Sequence, residues 1–137
     1  VFTSSLLQLP FIERTLGPLG RVGVLTADAS NLTAEHLRRA GGDPERITIA
    51  GLEKEPAFRE AIFSGTGRID PAAIQAEVVR QTERLVTENE RIAAILFECA
   101  NLPPYAAAVQ KAVGLPVYDF TTMVCHVHAA LVRTAFS

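Results

Sequence analysis

The sequence contains little of what extracellular, membrane and metal-binding proteins require. Among its 137 residues are two cysteines, three histidines, one methionine and no tryptophan. Two cysteines are too few for the disulfide framework of a small secreted domain, so we expect a reducing, cytoplasmic location. Three histidines without clustered cysteines do not predict a metal site. No apolar run reaches the ~18–20 residues of a membrane-spanning helix, and no membrane partner is expected.

Charge of neither sign dominates. The chain carries 13 Lys and Arg residues against 15 Asp and Glu residues, a formal net charge of −2, and its basic residues form no stripe. We therefore expect no nucleic-acid partner. The G-x-G-x-x-G and Walker loops that hold nucleotides are absent as well, so the sequence offers no visible binding loop for a dinucleotide or a nucleoside triphosphate. The length and the 48% hydrophobic content are typical of one compact globular domain.

Strand-like runs alternate with helical patterns along the chain. We predict strands at residues 21–26, 46–50, 92–97 and 115–120, with residues 1–3 as the stub of a fifth. Helices are predicted at residues 6–16, 34–40, 56–64, 70–89 and 121–136, and Pro104 is expected to open another. This alternation predicts an α/β fold, a flavodoxin-like three-layer sandwich around a mainly parallel sheet of four to five strands.

The clearest helix signal lies between Asp70 and Asn89. Asp70 can accept hydrogen bonds from the first N–H groups of the helix, and Pro71 suits its first turn. Asn89 is predicted to leave the helix in the left-handed conformation. These end signals bound an apolar stripe at helical spacing, which predicts a helix packed against the sheet.

Small polar residues follow three of the predicted strands. Ser4 and Ser5 follow the first run, Thr26 ends the next, and residues 98–101 (Glu-Cys-Ala-Asn) follow the buried run at 92–97. In open parallel sheets, ligands bind beyond the carboxyl ends of the strands, so hydroxyls at these places can hold a carboxylate. The same residue types also cap the helix that follows a strand, and the pattern leaves both interpretations open.

Cys99 is the strongest candidate for chemistry. A thiol a few residues before the helix that Pro104 is expected to begin would have its thiolate stabilised by the helix N-terminus. Asn101 would supply a side-chain amide to the same site, or merely a cap. A structural interpretation stands beside this one, because free cysteines are among the most buried residues in proteins.

Cys125 and its neighbours favour packing over chemistry. Cys125 lies in the apolar helical run MVCHVHAAL, which predicts a place in the core. His126 and His128 are two residues apart, about 200° around a helix, and cannot both face one metal ion. No metal role is therefore expected for this segment.

Two stretches of the sequence resemble a known enzyme superfamily. ILFECANLPPYAAAVQKAVGLPVYDF and VFTSSLLQLPFIERTLGPLGRVGVLTADA resemble the second half and the middle of aspartate/glutamate/hydantoin racemases. There, a strand ends in a Cys-Thr-like element that is often followed by LPPY and a G-x-PV-x-D strand. The resemblance covers essentially all 137 residues and is most specific around Cys99.

The resemblance implies one half of a pseudo-symmetric two-domain isomerase that needs no cofactor or metal. Each half would supply one cysteine, and one thiolate would remove the proton beside a carboxylate or carbonyl while the opposite thiol returns one. Cys99 matches the second-half catalytic cysteine. The implied substrate-binding residues are Ser4, Ser5, Thr26, Ala100 and Asn101. The expected substrate is a small carboxylate or hydantoin, in the class of amino acids and their derivatives.

The sequence differs from the family pattern at two residues beside Cys99 and lacks the first of the two catalytic cysteines. Ala100 stands where many members have Thr, and Glu98 stands where some have Gly and would raise the pKa of a nearby thiol. The first-half cysteine is expected upstream of Val1, so the chain alone should lack two-base racemase activity. Residues 121–137 are then expected to pack on that missing domain, and the apolar surface left bare is expected to cause homo-oligomerisation.

Three further interpretations keep the fold but change the function. The chain could belong to a single-cysteine maleate isomerase or to an arylmalonate decarboxylase-like enzyme. It could also be a non-catalytic α/β ligand-binding or interaction domain in which Cys99 is structural. The rate of thiol alkylation would distinguish a structural cysteine from an activated one.

Overall fold

The computed structural model describes residues 4–137, which form an all-parallel sheet with helices on both faces. The strands are β1 (Arg21–Thr26), β2 (Ile47–Gly51), β3 (Ile92–Phe97) and β4 (Val117–Tyr118), in the spatial order β2-β1-β3-β4. The predicted three-layer α/β fold with a four-stranded parallel sheet is therefore confirmed. The fifth strand predicted at residues 1–3 lies outside the described residues.

Six α-helices cover this sheet in the described part of the chain. They are α1 (Leu9–Leu16), α2 (Ala34–Arg39), α3 (Pro56–Phe63), α4 (Pro71–Glu88), α5 (Ala106–Val113) and α6 (Phe120–Leu131), with short 3₁₀ turns at Ser5–Gln8 and Pro103–Tyr105. None of the helices within residues 4–137 combines the length and apolar character that a membrane crossing needs.

Two apolar cores lie on opposite faces of the sheet. One joins the sheet to α3, α4 and α5 and contains Phe58, Val78 and Phe97. The other joins the sheet to α1 and α2 and contains Leu9 and Leu37. The central strands β1 and β3 are buried almost throughout because side chains on both of their faces meet helices, as the continuous apolar run of β3 predicts.

The fourth strand is shorter than the sequence predicts. Only Val117–Tyr118 pairs with β3, whereas residues 115–120 were expected to be strand. Pro116 lacks an N–H group, although its carbonyl accepts from Ile95 (2.9 Å). Asp119 then caps α6 by accepting from the amide of Thr122 at 2.8 Å. The helix cap therefore competes successfully with strand extension.

The longest helix begins as predicted but ends differently. Asp70 accepts from the amide of Ala73 at 3.0 Å, which confirms the predicted cap. The left-handed exit predicted at Asn89 is wrong, because its φ is −131° and the positive φ of 67° falls on Arg91. The Arg91 carbonyl then accepts from the amide of Arg21 at 2.9 Å, so the turn joins the start of β1 to that of β3.

The last helix is mostly exposed. Only Met123 of α6 is buried, and the prediction that Cys125 packs in the core is wrong, because this cysteine is a free, exposed thiol. The apolar character of the helix instead appears on its surface, where Phe120 and Val124 are 40% and 38% exposed. That this surface packs on another domain, or on a second copy of the chain, stays a prediction.

The strand order determines where a ligand can bind. From β1 the chain moves outward to β2 and then returns to β3 on the other side of β1. The carboxyl ends of β1 and β3 therefore lie side by side at the point where the strand order reverses, which is where open α/β sheets bind their ligands. Thr26 ends β1, and Glu98 and Cys99 follow β3 directly.

Candidate active site

A hydrogen bond between side chains joins the two central strands at this edge. The Thr26 hydroxyl donates to Oε2 of Glu98 at 2.7 Å, and the Glu98 amide donates to the Leu25 carbonyl at 2.8 Å. Thr26 is 4% exposed, whereas Glu98 is half-buried. The Thr26 hydroxyl therefore positions the Glu98 carboxylate at the switch point.

The two predicted serines occupy the turn that leads into α1. Ser5 is 2% exposed, and its hydroxyl donates to the Phe97 carbonyl at 2.8 Å. Ser4 caps the 3₁₀ turn, since its side-chain oxygen accepts from the amide of Leu6 at 3.1 Å. Both hydroxyls thus bond within the protein, Ser4 inside its own turn and Ser5 to the end of β3, the strand that Cys99 follows.

Cys99 lies half-buried where the chain bends after β3. The Asn101 side chain donates to its Sγ atom at 3.7 Å, and the Cys99 carbonyl accepts from the amide of Leu102 at 3.2 Å. The cysteine packs against the core on the α3–α5 side of the sheet. The following 3₁₀ turn begins at Pro103, and α5 begins only at Ala106.

Burial raises the pKa of the Cys99 thiol above its ordinary value. Hydrogen bonds from the backbone and side chain of Asn101 lower this pKa, and the charge of Glu98 raises it further, as the sequence predicts. The sequence predicts that a helix N-terminus lowers the pKa of Cys99. That prediction is wrong, because desolvation of the thiolate has the largest effect on this pKa and raises it. A raised pKa makes the thiolate scarcer at neutral pH but a stronger base once it forms.

A cavity of about 350 Å³ opens beside Glu98 on the α2 side of the sheet. Ser4 and Glu98 line it together with residues that the sequence pattern does not single out, namely Asn31, His36 and Arg39. Cys99 does not line this cavity. Glu98 does, and it is the residue directly before Cys99 in the chain. Arg39, 78% exposed, is already engaged by Glu35 at 2.9 Å.

The predicted site residues therefore fall into two neighbouring groups. Thr26, Ser4 and Ser5 lie on the β1 and α1 side of the switch point, and Cys99 and Asn101 lie on the other. Ala100 is exposed at the turn between them. Their roles toward a substrate stay predictions. Within residues 4–137, no three His, Cys, Asp or Glu side chains are grouped as they would be around a metal ion.

Replacing Ser5 with alanine is expected to lower the free energy of unfolding by about 0.5–1.5 kcal/mol, because the buried Phe97 carbonyl loses its hydroxyl partner. Urea denaturation of the purified chain measures this. Ser30→Ala is the control, since Ser30 is exposed and bonds only to the neighbouring Asp28 carboxylate. Equal stability of the two variants would contradict a structural role for the Ser5 hydroxyl.

The chain is similar in sequence to several lyases. Dimethylsulfoniopropionate lyase 3 of Emiliania huxleyi (strain CCMP1516) is 37% identical over 131 residues, covering 89% of this chain and 34% of that protein. Dimethylsulfoniopropionate lyase 7 of the same strain is 36% identical over 131 residues, 89% of this chain and 38% of that protein. Dimethylsulfoniopropionate lyase of Durusdinium sp. clade D is 32% identical over 124 residues, 87% and 40% respectively. The chain thus spans only 34% to 40% of the length of these relatives.

The fold is shared with a solved racemase. The crystal structure of allantoin racemase from Pseudomonas fluorescens superposes with a TM-score of 0.64 at 20% identity, covering 93% of this chain and 51% of that one. No family model matches the chain. At this identity the likeness shows a racemase-like α/β fold, which agrees with the fold that the sequence resemblance implies.

Proposed function

We propose that this chain is the cysteine-bearing second half of a cofactor-independent lyase that acts on dimethylsulfoniopropionate, with Cys99 as the catalytic base. The likeness to dimethylsulfoniopropionate lyases across most of the chain carries the proposal. The position of Cys99 at the switch point of a parallel sheet supports it, because substrates of such folds bind there.

The reaction needs a base beside a carboxylate. In our proposal, the Cys99 thiolate removes a proton from the carbon next to the substrate carboxylate. The electron pair of that C–H bond becomes the second bond between this carbon and the next one. The C–S bond breaks with its electron pair going to sulfur, so neutral dimethyl sulfide leaves and acrylate remains. The proton stays on Sγ of Cys99 until solvent accepts it, and atoms and charge balance.

The surroundings of Cys99 suit a base better than a nucleophile. A proton beside a carboxylate is weakly acidic, so its removal favours a strong base, and burial gives the Cys99 thiolate that strength. The Asn101 amide donates to Sγ and holds the side chain in place. Enzymes that use cysteine as a nucleophile at neutral pH usually lower its pKa instead.

We also propose that the complete enzyme has a second α/β half upstream of Val1, which closes the site over Cys99. The relatives are more than twice as long as the matched region, which leaves room for such a half. The exposed apolar residues of α6 and the groove between α1 and α6 offer a surface for it, with Phe11 56% exposed. The chain alone is then expected to be inactive.

The test is release of dimethyl sulfide by the complete protein that carries this chain. Headspace gas chromatography should detect the gas above a heat-denatured control, and proton NMR should show acrylate in equal amount. The isolated chain should release neither. Absence of dimethyl sulfide from a folded complete protein would contradict the lyase proposal.

Racemisation is the second candidate, because the fold is that of a solved allantoin racemase. The first step, proton removal by a cysteine beside a carbonyl or carboxylate, would be the same. The second step would differ. In racemisation the opposite thiol returns a proton to the carbon, whereas in the lyase reaction dimethyl sulfide leaves. Polarimetry with allantoin, hydantoins and aspartate separates the two. Carbon dioxide release would instead indicate a decarboxylase, and isomerised maleate would indicate a maleate isomerase.

A further inference from the structure

Glu98 is the one acidic side chain of the described residues that both lines the cavity at the switch point and adjoins Cys99 in the chain. Three hydrogen bonds hold Glu98 there: its amide donates to the Leu25 carbonyl, the Ser5 hydroxyl donates to its carbonyl, and the Thr26 hydroxyl donates to Oε2. Within residues 4–137 its carboxylate makes no ion pair and accepts no second hydrogen bond. A carboxylate with one neutral hydrogen-bond partner and no ion pair can attract a bound cation.

We propose that the Glu98 carboxylate is the subsite for the cationic sulfonium group of the substrate, and that it determines selectivity for a positively charged leaving group. The proposal rests on the lyase function proposed above. A sulfonium has no N–H group to donate, so charge and the fit of its methyl groups must recognise it. The Glu98 carboxylate supplies charge without needing a donor, and Leu6 and Leu7 add apolar lining to the same cavity.

The covalent geometry of the substrate sets the distance that this placement requires. The sulfur is separated from the carbon that loses its proton by one carbon atom, a distance of about 3 Å for ordinary bond lengths. A base that attacks this carbon must therefore have the cation close by. Glu98 precedes Cys99 directly, and its charge is felt at the thiol.

The subsite also predicts how the cation affects catalysis. The sulfur loses its positive charge as the C–S bond breaks, so Glu98 holds the bound substrate more strongly than the transition state. Removing the Glu98 charge should then raise KM without lowering kcat. A role of Glu98 confined to tuning the thiol would instead leave the discrimination between charged and neutral ligands unchanged.

The experiment compares two unreactive ligands of the same shape in the complete protein. 3-(Trimethylammonio)propionate carries a cation, and 4,4-dimethylpentanoate is its neutral carbon counterpart. Isothermal titration calorimetry should show that the wild-type protein binds the cationic ligand at least ~10-fold more tightly. Glu98→Gln, which keeps the acceptor for Thr26, should reduce this preference to near unity and raise KM for dimethylsulfoniopropionate by about 10- to 100-fold.

Glu90→Gln is the matched control, because it removes the same charge from an exposed residue before the amino end of β3. It should keep the preference for the cationic ligand. The subsite is overturned if the wild-type protein binds both ligands equally, or if Glu98→Gln keeps the preference while dimethyl sulfide is still released. Conversely, a Glu98-dependent preference in a protein that releases no dimethyl sulfide supports the subsite and rejects the lyase reaction.

Discussion

Replacing Cys99 with serine in the complete protein is expected to lower kcat/KM for dimethylsulfoniopropionate by about 10²- to 10⁴-fold, the usual contribution of a positioned general base. A serine hydroxyl is nearly the same size and can still accept from the Asn101 amide, so the fold should be kept. It is, however, far too weak an acid to provide an anionic base near neutral pH. Gas chromatography of released dimethyl sulfide measures the loss.

Cys125→Ser provides the matched control for this prediction. Cys125 is the other cysteine of the chain, and it is an exposed thiol on α6 that lines neither the cavity beside Glu98 nor the core around Cys99. Its replacement should leave kcat/KM within about twofold, as expected for a surface substitution away from the site. Circular dichroism of both variants tests the fold. A Cys99→Ser protein that is folded and fully active would reject Cys99 as the base.

An isotope experiment checks the step that is assigned to Cys99. Deuterium at the carbon next to the substrate carboxylate should slow release of dimethyl sulfide by the wild-type protein if proton removal limits the rate. Alternatively, a fast and reversible removal should wash deuterium from D₂O solvent into the remaining substrate. Neither effect is expected of a cysteine that attacks the substrate as a nucleophile.

The sequence predicted the central part of the fold closely. The bounds of β1 and β3 agree with the predicted runs at residues 21–26 and 92–97 because both strands are apolar, buried on two faces and bounded by turn residues. At the edge of the sheet, the Asp119 cap determined where β4 ends, and a cap competes with a strand in ways that a short apolar run does not reveal.

The site was predictable in location but not in detail. The ends of the predicted strands indicated Thr26 and Cys99. The hydrogen bond from Thr26 to Glu98 could not be predicted, because it requires β1 and β3 to be neighbours in the sheet and the sequence does not give the strand order. The lining residues Asn31 and His36 carry no signal of their own, since they belong to a turn and to a short helix that happen to return across this edge. The sign of the Cys99 pKa shift depends on burial, which only the packed structure gives.

The reactivity of Cys99 is expected to rise about tenfold per pH unit up to a midpoint above the ordinary thiol value of about 8.5. The thiolate is the reactive form, and burial raises the pKa of the thiol, so the thiolate fraction at neutral pH lies below that of free cysteine. Iodoacetamide alkylation at different pH values measures this in a Cys125→Ser background, where Cys99 is the only thiol of the chain. A midpoint below that of free cysteine would contradict the prediction.

Two substitutions should move this midpoint in opposite directions. Asn101→Ala removes a hydrogen bond that favours the thiolate, so the pKa of Cys99 should rise and alkylation at neutral pH should slow further. Glu98→Gln removes a negative charge that disfavours the thiolate, so the pKa should fall and alkylation should become faster. A midpoint that neither substitution moves would show that these two neighbours do not act on the thiol.

Substrate should shift the same titration during catalysis. A sulfonium bound at Glu98 places a positive charge near Cys99 and offsets the carboxylate, and both effects favour the thiolate. The pH profile of kcat, which reports the enzyme–substrate complex, should therefore have a lower midpoint than the profile of kcat/KM, which reports the free enzyme. In Glu98→Gln the two midpoints should lie closer together, because the cation then loses its fixed place beside the thiol. Equal midpoints in the wild-type protein would mean that the substrate cation does not lie near Cys99.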